Sequence, residues 1–174
     1  VRIYSFNGFS WNQLGNDIDG DAADDASGYS VSLGSDGNTL AIGSNSGVWN
    51  VIGYVRVYSW NGSSWSQLGQ DINGAVNGTI SSDGNTLAIG APHSNSGHVR
   101  IYSYYGNSWY QLSQDIDGES AGDQSGSSVS LSSDGSVVAI GAPNNDGNGT
   151  NSGHVRVYQI PSTCNGCTDP LALN

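Results

Sequence analysis

One short phrase recurs along the chain and limits what the chain can fold into. Val-Arg-(Val/Ile)-Tyr begins at residues 1, 55, 99 and 155, so the repeats are 44 to 56 residues long. Two further phrases accompany it: Asp-Ile-(Asp/Asn)-Gly at 17–20, 71–74 and 115–118, and a strand-like segment ending near Ala-Ile-Gly at 30–44, 79–92 and 128–143. Such periodicity predicts one supersecondary unit copied several times.

Each repeat reads as four β-strands. The run SVSL alternates polar and apolar residues with period two, and TLAIGAP, HVRIYSY and SWYQLSQDI are further strand-like runs. Asp-Gly follows the first strand at 36–37, 83–84 and 134–135, which predicts a two-residue hairpin turn with positive φ at both central residues. Four antiparallel strands per repeat predict the blades of a β-propeller and an all-β fold.

The number of predicted strands bears on whether the ring can close. Two strands in 1–18, four in 28–72, four in 76–116 and three in 127–159 make about three and a half blades. A closed propeller typically has at least about four blades, so we expect further blades of a longer polypeptide, or other copies, to complete the ring. We assign 1–160 to the propeller and 161–174 to a Cys-containing tail or the start of a following module.

The net charge of −11 excludes some partners. Fifteen acidic residues face four basic ones, and a chain so poor in cations can neutralise neither nucleic acid nor an anionic membrane surface. No apolar run approaches the ~18 residues of a transmembrane helix, so we expect no membrane span. The charge does leave room for bound cations.

All of the positive charge lies at one position of the repeated phrase. The four basic residues are Arg2, Arg56, Arg100 and Arg156. Because side chains alternate along a strand, each arginine and the nearby Tyr point to one sheet face and the two Val or Ile residues to the other. A guanidinium fork suits a carboxylate, so we interpret the arginines as structural and expect their partners among Asp17, Asp71 and Asp115.

Acidic loops are the candidate metal sites. Calcium takes six to eight oxygen ligands, and two loops alternate carboxylates around a Gly, while a third presents oxygens at every second residue. The candidate ligands are Asp17, Asp19, Asp21, Asp115, Asp117, Glu119 and Asp123, with Asn144, Asp146 and Asn148 in the third loop. The alternative is that they are solvated, turn-forming residues. The middle repeat keeps its strands while losing most of these acids, so the blade itself does not need them.

The phrases together resemble the FG-GAP repeat of integrin α-subunit propellers and related surface proteins. The resemblance covers about residues 1–160, and Gly90-Ala91-Pro92 and Gly141-Ala142-Pro143 match the family's Gly-Ala-Pro directly. It implies a propeller in an extracellular or cell-surface protein. The family's calcium loop, Asp-x-Asp-x-Asp-Gly between the first two strands, is here a tight SSDGN or GSDGN hairpin, so calcium is expected only at other loops.

The tryptophans divide into two groups. Trp11, Trp65 and Trp109 share one repeat position, and we expect them to pack between blades because large aromatics supply much of a core's buried area. Trp49 lies outside that register in an irregular segment, so it is the candidate for an exposed binding contact.

Covalent features cluster in turns and in the tail. We expect Cys164 and Cys167 to form a structural disulfide, either with each other or with cysteines outside this sequence, as in an oxidising compartment. Asn61, Asn77 and Asn148 begin Asn-x-Ser/Thr sequons and would be glycosylation sites in a eukaryotic secretory route.

The motifs contain no recognisable pair of nucleophile and base. His98 and His154 share one position of the repeat, and His93 follows Gly90-Ala91-Pro92. We therefore expect no enzymatic activity. The expected function is an extracellular structural or adhesive module that contacts other proteins, surfaces or copies of itself. The alternative is a lectin-like, glycan-binding propeller, which calcium would assist.

Overall fold

The computed structural model describes residues 1–45, 53–74, 77–80 and 84–161, with only the backbone described for 77–80. In these ranges all regular structure is β, which confirms the all-β prediction. The same residues contain no helix of the length and apolar character that a membrane crossing requires.

Within the described ranges, fifteen strands form four antiparallel sheets in chain order, and each sheet is one blade. The first blade has β1 (Tyr4–Phe6) and β2 (Trp11–Gln13), and the fourth has β13 (Ser128–Leu131), β14 (Val137–Ala142) and β15 (His154–Gln159). The second has β3 (Ser30–Leu33), β4 (Thr39–Gly43), β5 (Tyr54–Trp60), β6 (Trp65–Gln67) and β7 (Ile72–Asn73). The third has β8 (Asn77–Ile80), β9 (Thr86–Ala91), β10 (His98–Tyr105), β11 (Ser108–Gln111) and β12 (Ile116–Asp117).

Strands pair in sequence order, as expected for propeller blades. The orders are β3-β4-β5-β6 in the second blade and β8-β9-β10-β11 in the third, with β7 also paired to β5 and β12 to β10. The first blade contains the third and fourth strands of this pattern, and the fourth blade contains the first three.

The fourth strand of a complete blade is interrupted by a bulge. In the second blade β6 pairs with the C-terminal end of β5 and β7 with its N-terminal end, so residues 68–71 stand opposite only 56–57. The third blade repeats this with 112–115 opposite 100–101. The prediction of one continuous fourth strand was therefore wrong, because four residues cannot stay in the ladder opposite two.

The predicted two-residue Asp-Gly turn was also wrong. The turn after β3 spans Gly34 to Gly37, where the Gly37 N–H donates to the Gly34 carbonyl at 3.0 Å and the Gly34 N–H donates to the Thr39 carbonyl at 2.8 Å. Gly37 has a φ of 70°, whereas Asp36 is not among the described residues with positive φ. Asp36 instead accepts the Asn38 N–H through its Oδ1 at 2.9 Å, so the aspartate closes the turn with its side chain.

The core lies between blades, where the face of one sheet packs on the next. We call the side of a blade that carries Val55 and Val57 in the second blade its forward face, and the side that carries Leu40 and Ile42 its rear face. Forward faces pack on the rear faces that follow. The second blade's Val55, Val57 and Ile72 pack on Leu87, Ile89 and Trp109 of the third, whose Val99 and Ile101 pack on Val138 and Ile140 of the fourth. Ile3 and Ile18 of the first blade pack on Leu40 and Ile42 in the same way.

Two of the three repeat-register tryptophans lie between blades, and one does not. Trp109 is 2% exposed and its indole Nε1–H donates to the Leu68 carbonyl at 2.8 Å, while Trp65 makes the same bond to Leu14 at 3.0 Å. Gly69 allows this approach, because a Cβ there would lie 2.8 Å from the Trp109 ring. Trp11 is 69% exposed, because none of the described sheets packs on that side of the first blade.

Replacing Trp109 and Trp11 by alanine separates the effect of burial from that of residue type. We expect Trp109→Ala to lower the free energy of unfolding by about 3–5 kcal/mol, as for other buried aromatics. Trp11→Ala should cost about 0.5 kcal/mol, as for most surface substitutions. Urea denaturation followed by far-UV circular dichroism measures both, and equal losses would contradict the assigned positions.

Candidate functional site

A repeated group of three side chains ties each bulge to its sheet. In the second blade the Arg56 Nε donates to Asp71 Oδ1 at 2.9 Å and its Nη2 donates to Oδ2 at 2.7 Å. Gln67 Nε2 donates to the same carboxylate at 2.7 Å and to the Gly69 carbonyl at 3.3 Å. We call this arrangement of arginine, aspartate and glutamine the clasp.

The clasp recurs in the first and third blades. Arg2 Nε donates to Asp17 at 2.9 Å and Gln13 to Asp17 at 2.7 Å, while Arg100 Nε donates to Asp115 at 3.0 Å and Gln111 to Asp115 at 2.8 Å. Three of the four arginines thus contact aspartates of the predicted set Asp17, Asp71 and Asp115. The glutamines were not among the predicted residues, although the spacing Gln-Leu-x-x-Asp-Ile recurs at 13–18, 67–72 and 111–116 and could have indicated them.

The clasps perturb the acidity of their carboxyl groups. Hydrogen bonds from Arg56 lower the pKa of Asp71, and Arg100 lowers that of Asp115 in the same way. The second clasp is the most enclosed, since the Arg56 side chain is 13% exposed whereas that of Arg2 is 61% exposed. Its charges are therefore screened less by solvent than those of the first clasp.

The first acidic loop crosses to the next blade. The Asp21 carboxylate accepts a hydrogen bond from Arg56 Nη2 at 2.5 Å, so Arg56 is shared between the Asp of its own blade and an Asp of the preceding one. Asp25 fixes the loop by accepting the N–H groups of Asp21 and Ala22, and it also accepts the Tyr54 hydroxyl at 3.3 Å. The loop is therefore a polar tie between the first two blades.

The second acidic loop makes the corresponding tie between the third and fourth blades. Arg156 Nη2 donates to the Asp117 carbonyl at 2.6 Å, and its Nη1 lies 3.9 Å from Glu119. Asp123 is buried and accepts the Asn145 Nδ2–H at 2.9 Å, which joins this loop to residues 143–149. No described residue bonds the buried Arg156 Nε, because the strand that supplies the clasp aspartate in other blades does not follow β15 among the described residues.

Several of the predicted calcium ligands already accept hydrogen bonds from protein groups. At Asp17, Asp21, Asp115 and Asp123 the carboxylates face an arginine or an amide, so a calcium ion there would have to displace a protein donor. Asp146 Oδ1 accepts the Asn151 N–H at 2.7 Å. In the turns beside it Asn148 is exposed and Asn144 is half-buried. Asp115 and Asp117 offer atoms within 4.8 Å of His98, but Asp115 already belongs to a clasp. Calcium binding at Asp19 and Glu119 or at the other loop residues stays a prediction.

The other predicted sites fall in separate places. Asn61 is exposed in the turn between β5 and β6, where its Oδ1 accepts the N–H groups of Ser63 and Ser64. Asn77 begins β8, and its side chain lies outside the described residues, as do Trp49, Cys164 and Cys167 entirely. Their predicted roles in glycosylation, binding and disulfide formation stay predictions.

The sheets, their order and their face-to-face packing are those of a β-propeller, and solved structures are similar. The crystal structure of Saccharomyces cerevisiae Sqt1 has a TM-score of 0.52 and 14% identity, covering 80% of this chain and 33% of its own. A candidate 6-phosphogluconolactonase from Bacteroides uniformis has a TM-score of 0.50 and 13% identity, covering 76% of this chain and 37% of its own. Both are propeller-like, and the likeness is one of fold alone. This chain thus spans about a third of the length of each.

Sequence comparison identifies the repeat itself. Residues 116–158 match the FG-GAP repeat. This range begins at β12 of the third blade and takes in the three strands of the fourth to within one residue of the end of β15. The predicted FG-GAP resemblance is confirmed for this segment, and the chain is a β-propeller protein that carries an FG-GAP repeat. No curated protein sequence matches the chain.

Removing a clasp arginine tests whether enclosure decides its contribution. We expect Arg56→Ala to lower the free energy of unfolding by about 1–3 kcal/mol, because the Asp71 carboxylate loses a charged partner in a partly buried place. Arg2→Ala should cost about 0–1 kcal/mol, as for exposed ion pairs. Thermal and urea denaturation of both variants give the comparison, and a larger loss for Arg2→Ala would contradict it.

The lowered pKa of Asp71 predicts a pH dependence with a definite sign. A carboxyl group whose pKa is depressed by folding stabilises the fold above its ordinary pKa of about 3.9, and this contribution is lost as pH falls through the folded value. The stability difference between the wild type and Asp71→Asn should therefore be full at neutral pH and shrink between about pH 5 and pH 2. A stability difference that stays constant over that range would show that the ionisation of Asp71 does not contribute to the free energy of unfolding.

Proposed function

We propose that this chain is a non-enzymatic, extracellular β-propeller module that builds or joins larger assemblies through its two end faces. The observation that carries the proposal is the exposure, at both ends of the array, of apolar residues whose repeat equivalents are buried between blades. The FG-GAP repeat supports the extracellular setting, since such repeats are typical of extracellular proteins. The clasps support a structural role for the charged residues, because the arginines and aspartates pair with each other and so hold strands and blades together.

The forward face of the fourth blade is exposed. Val155 and Val157 on β15 are 68% and 65% exposed. Their equivalents in the second blade, Val55 and Val57, are 0% and 1% exposed under the third blade. The exposed valines therefore present the same chemistry that the chain uses internally to bind a following blade.

The rear face of the first blade is its counterpart. Tyr4, Phe6 and Trp11 are exposed there, and the Phe6 and Trp11 rings lie 5.2 Å apart. In the third blade the equivalent aromatics are Tyr102, Tyr104 and Trp109, which pack on the forward face of the second blade. An aromatic rear face is thus what the chain uses internally to cover paired valines.

These two ends are complementary to each other, so a second copy can dock head to tail. Such a contact is heterologous, and it produces a ring if the rotation closes and an open filament if it does not. Exposed contiguous apolar surface of this kind marks interaction sites in soluble proteins. A longer polypeptide with further blades would use the same two faces.

Substitutions at the two ends test the proposal. We expect the wild type to associate with rising concentration in analytical ultracentrifugation. Val157→Asp, which blocks the forward face, and Phe6→Asp, which blocks the rear face, should each remain monomeric because a charge cannot be buried at the contact without a partner. An equimolar mixture of the two variants should form dimers, since each variant keeps one intact face.

Phe9→Asp is the matched control, because Phe9 is 96% exposed at the tip of the first turn and belongs to neither face. It should associate like the wild type. A wild type that stays monomeric at high concentration, or a variant mixture that stays monomeric, would overturn the end-to-end assembly.

A further inference from the structure

A polar cleft lies between the first and second blades, away from both end faces. It has a volume of about 130 Å³. One wall is the segment after β2, which forms a bulge like those of the other blades, because its Leu14 and Ile18 N–H groups donate to the Ile3 and Val1 carbonyls, both at 2.9 Å. The β5–β6 turn forms the other wall, and the lining residues are Gly15, Asn16, Asp17, Ile18, Ser63, Ser64 and Trp65. The repeat provides an internal comparison, because the same junction exists between the second and third blades.

At that second junction a glutamine side chain bridges the blades. Gln70 Oε1 accepts the main-chain N–H of Trp109 at 3.0 Å, and its Nε2 donates to the main-chain carbonyl of Trp109 at 2.7 Å. The carboxamide thus pairs with both polar groups of one residue on the outer strand.

The first junction has the same frame without this bridge. Asn16 stands where Gln70 stands in the repeat, between the Gly and the Asp of the bulge, and its side chain is one methylene shorter. The indoles are anchored alike, since Trp65 donates to Leu14 as Trp109 donates to Leu68. Among the described residues Asn16 makes no side-chain hydrogen bond to Trp65.

The main chain of Trp65 therefore faces the cleft with its donor and acceptor available. Trp65 lies opposite Trp60 in the β5–β6 pair, and the neighbouring Asn61 N–H donates to the Ser64 carbonyl at 3.2 Å. Since ladder hydrogen bonds alternate along an antiparallel pair, the N–H and C=O of Trp65 point away from β5. Trp109 shows this orientation directly through its bonds to Gln70.

We propose that this cleft is a carbohydrate-binding site that takes a pair of neighbouring sugar hydroxyls in place of the missing carboxamide. One hydroxyl oxygen accepts the Trp65 N–H and the adjacent O–H donates to the Trp65 carbonyl, because a hydroxyl can serve in either role. Ser63 and Ser64 place further hydroxyls beside the ligand. A neutral sugar fits better than an anion, because the charged residue that lines the cleft is the carboxylate of Asp17. Its partner Arg2 is already paired with it and is not free to bind an anionic ligand.

The repeat supplies two reciprocal variants. Asn16→Gln should let the longer carboxamide bridge to Trp65 and close the first cleft. Gln70→Asn should open the equivalent cleft over Trp109 and create a second site. The probes are neutral oligosaccharide fragments of mannan, galactan and β-glucan, added at millimolar concentration and followed through the backbone amide resonances of the folded chain by ¹⁵N NMR.

With the wild type we expect at least one of these probes to shift the Trp65 amide saturably and to leave the Trp109 amide unmoved. Asn16→Gln should weaken that binding by about tenfold or more, as expected for two lost hydrogen bonds, without lowering the melting temperature. Gln70→Asn should make the Trp109 amide respond as well. Val157→Asp should bind like the wild type, so a failure of end-face assembly can be told apart from a failure of the cleft.

The proposal is overturned if none of the probes shifts the Trp65 amide saturably, if Trp65 and Trp109 respond equally in the wild type, or if Asn16→Gln binds unchanged. Should Asn16→Gln fail to fold, Gln70→Asn decides the matter, because a Trp109 amide that stays unresponsive in that variant would contradict the exchange of carboxamide for sugar.

Discussion

The packing of one sheet face on the next is the interaction on which the rest of the structure depends. A blade cannot bury the apolar residues on either of its own faces, so these residues are buried by the adjacent blades. Paired Val or Ile residues on the forward face meet aromatic and aliphatic residues on the following rear face. The clasp serves this packing, because it holds the bulged fourth strand in the position from which Leu68 and Ile72 reach the same interface as Val55.

Much of this could be predicted from the sequence because the repeat encodes it directly. The period-two pattern of Val-Arg-Val-Tyr places its two valines on one face and its arginine on the other, and the structure has Val55 and Val57 in the core while Arg56 reaches a carboxylate. The contact of arginines with Asp17, Asp71 and Asp115 was predicted from the same repeat, whereas which aspartate each arginine contacts is known only from the structure.

Other features could not be predicted from the sequence, because they depend on contacts between strands or between repeats. The run Gln-Leu-x-x-Asp-Ile looks like a continuous strand, and only its pairing with β5 and β10 exposes the surplus residues. The acidic loops look like metal ligands until Arg56 is seen to reach Asp21 across the junction. The difference between Asn16 and Gln70 is a single methylene, and its effect appears only where a neighbouring outer strand comes within reach of the longer side chain.

The unequal loops between blades have a consequence for how the chain could be rebuilt. Three residues separate β7 from β8, whereas ten separate β12 from β13, yet the sheets on either side pair in the same order. The strand order of the sheets therefore does not depend on the length of the loop between them, and foreign peptides could be grafted into these loops. An insertion into one of the long loops would have the most room but would remove one ionic contact between blades. An insertion into the short β7–β8 connection would add a loop that the two blades do not need for their packing.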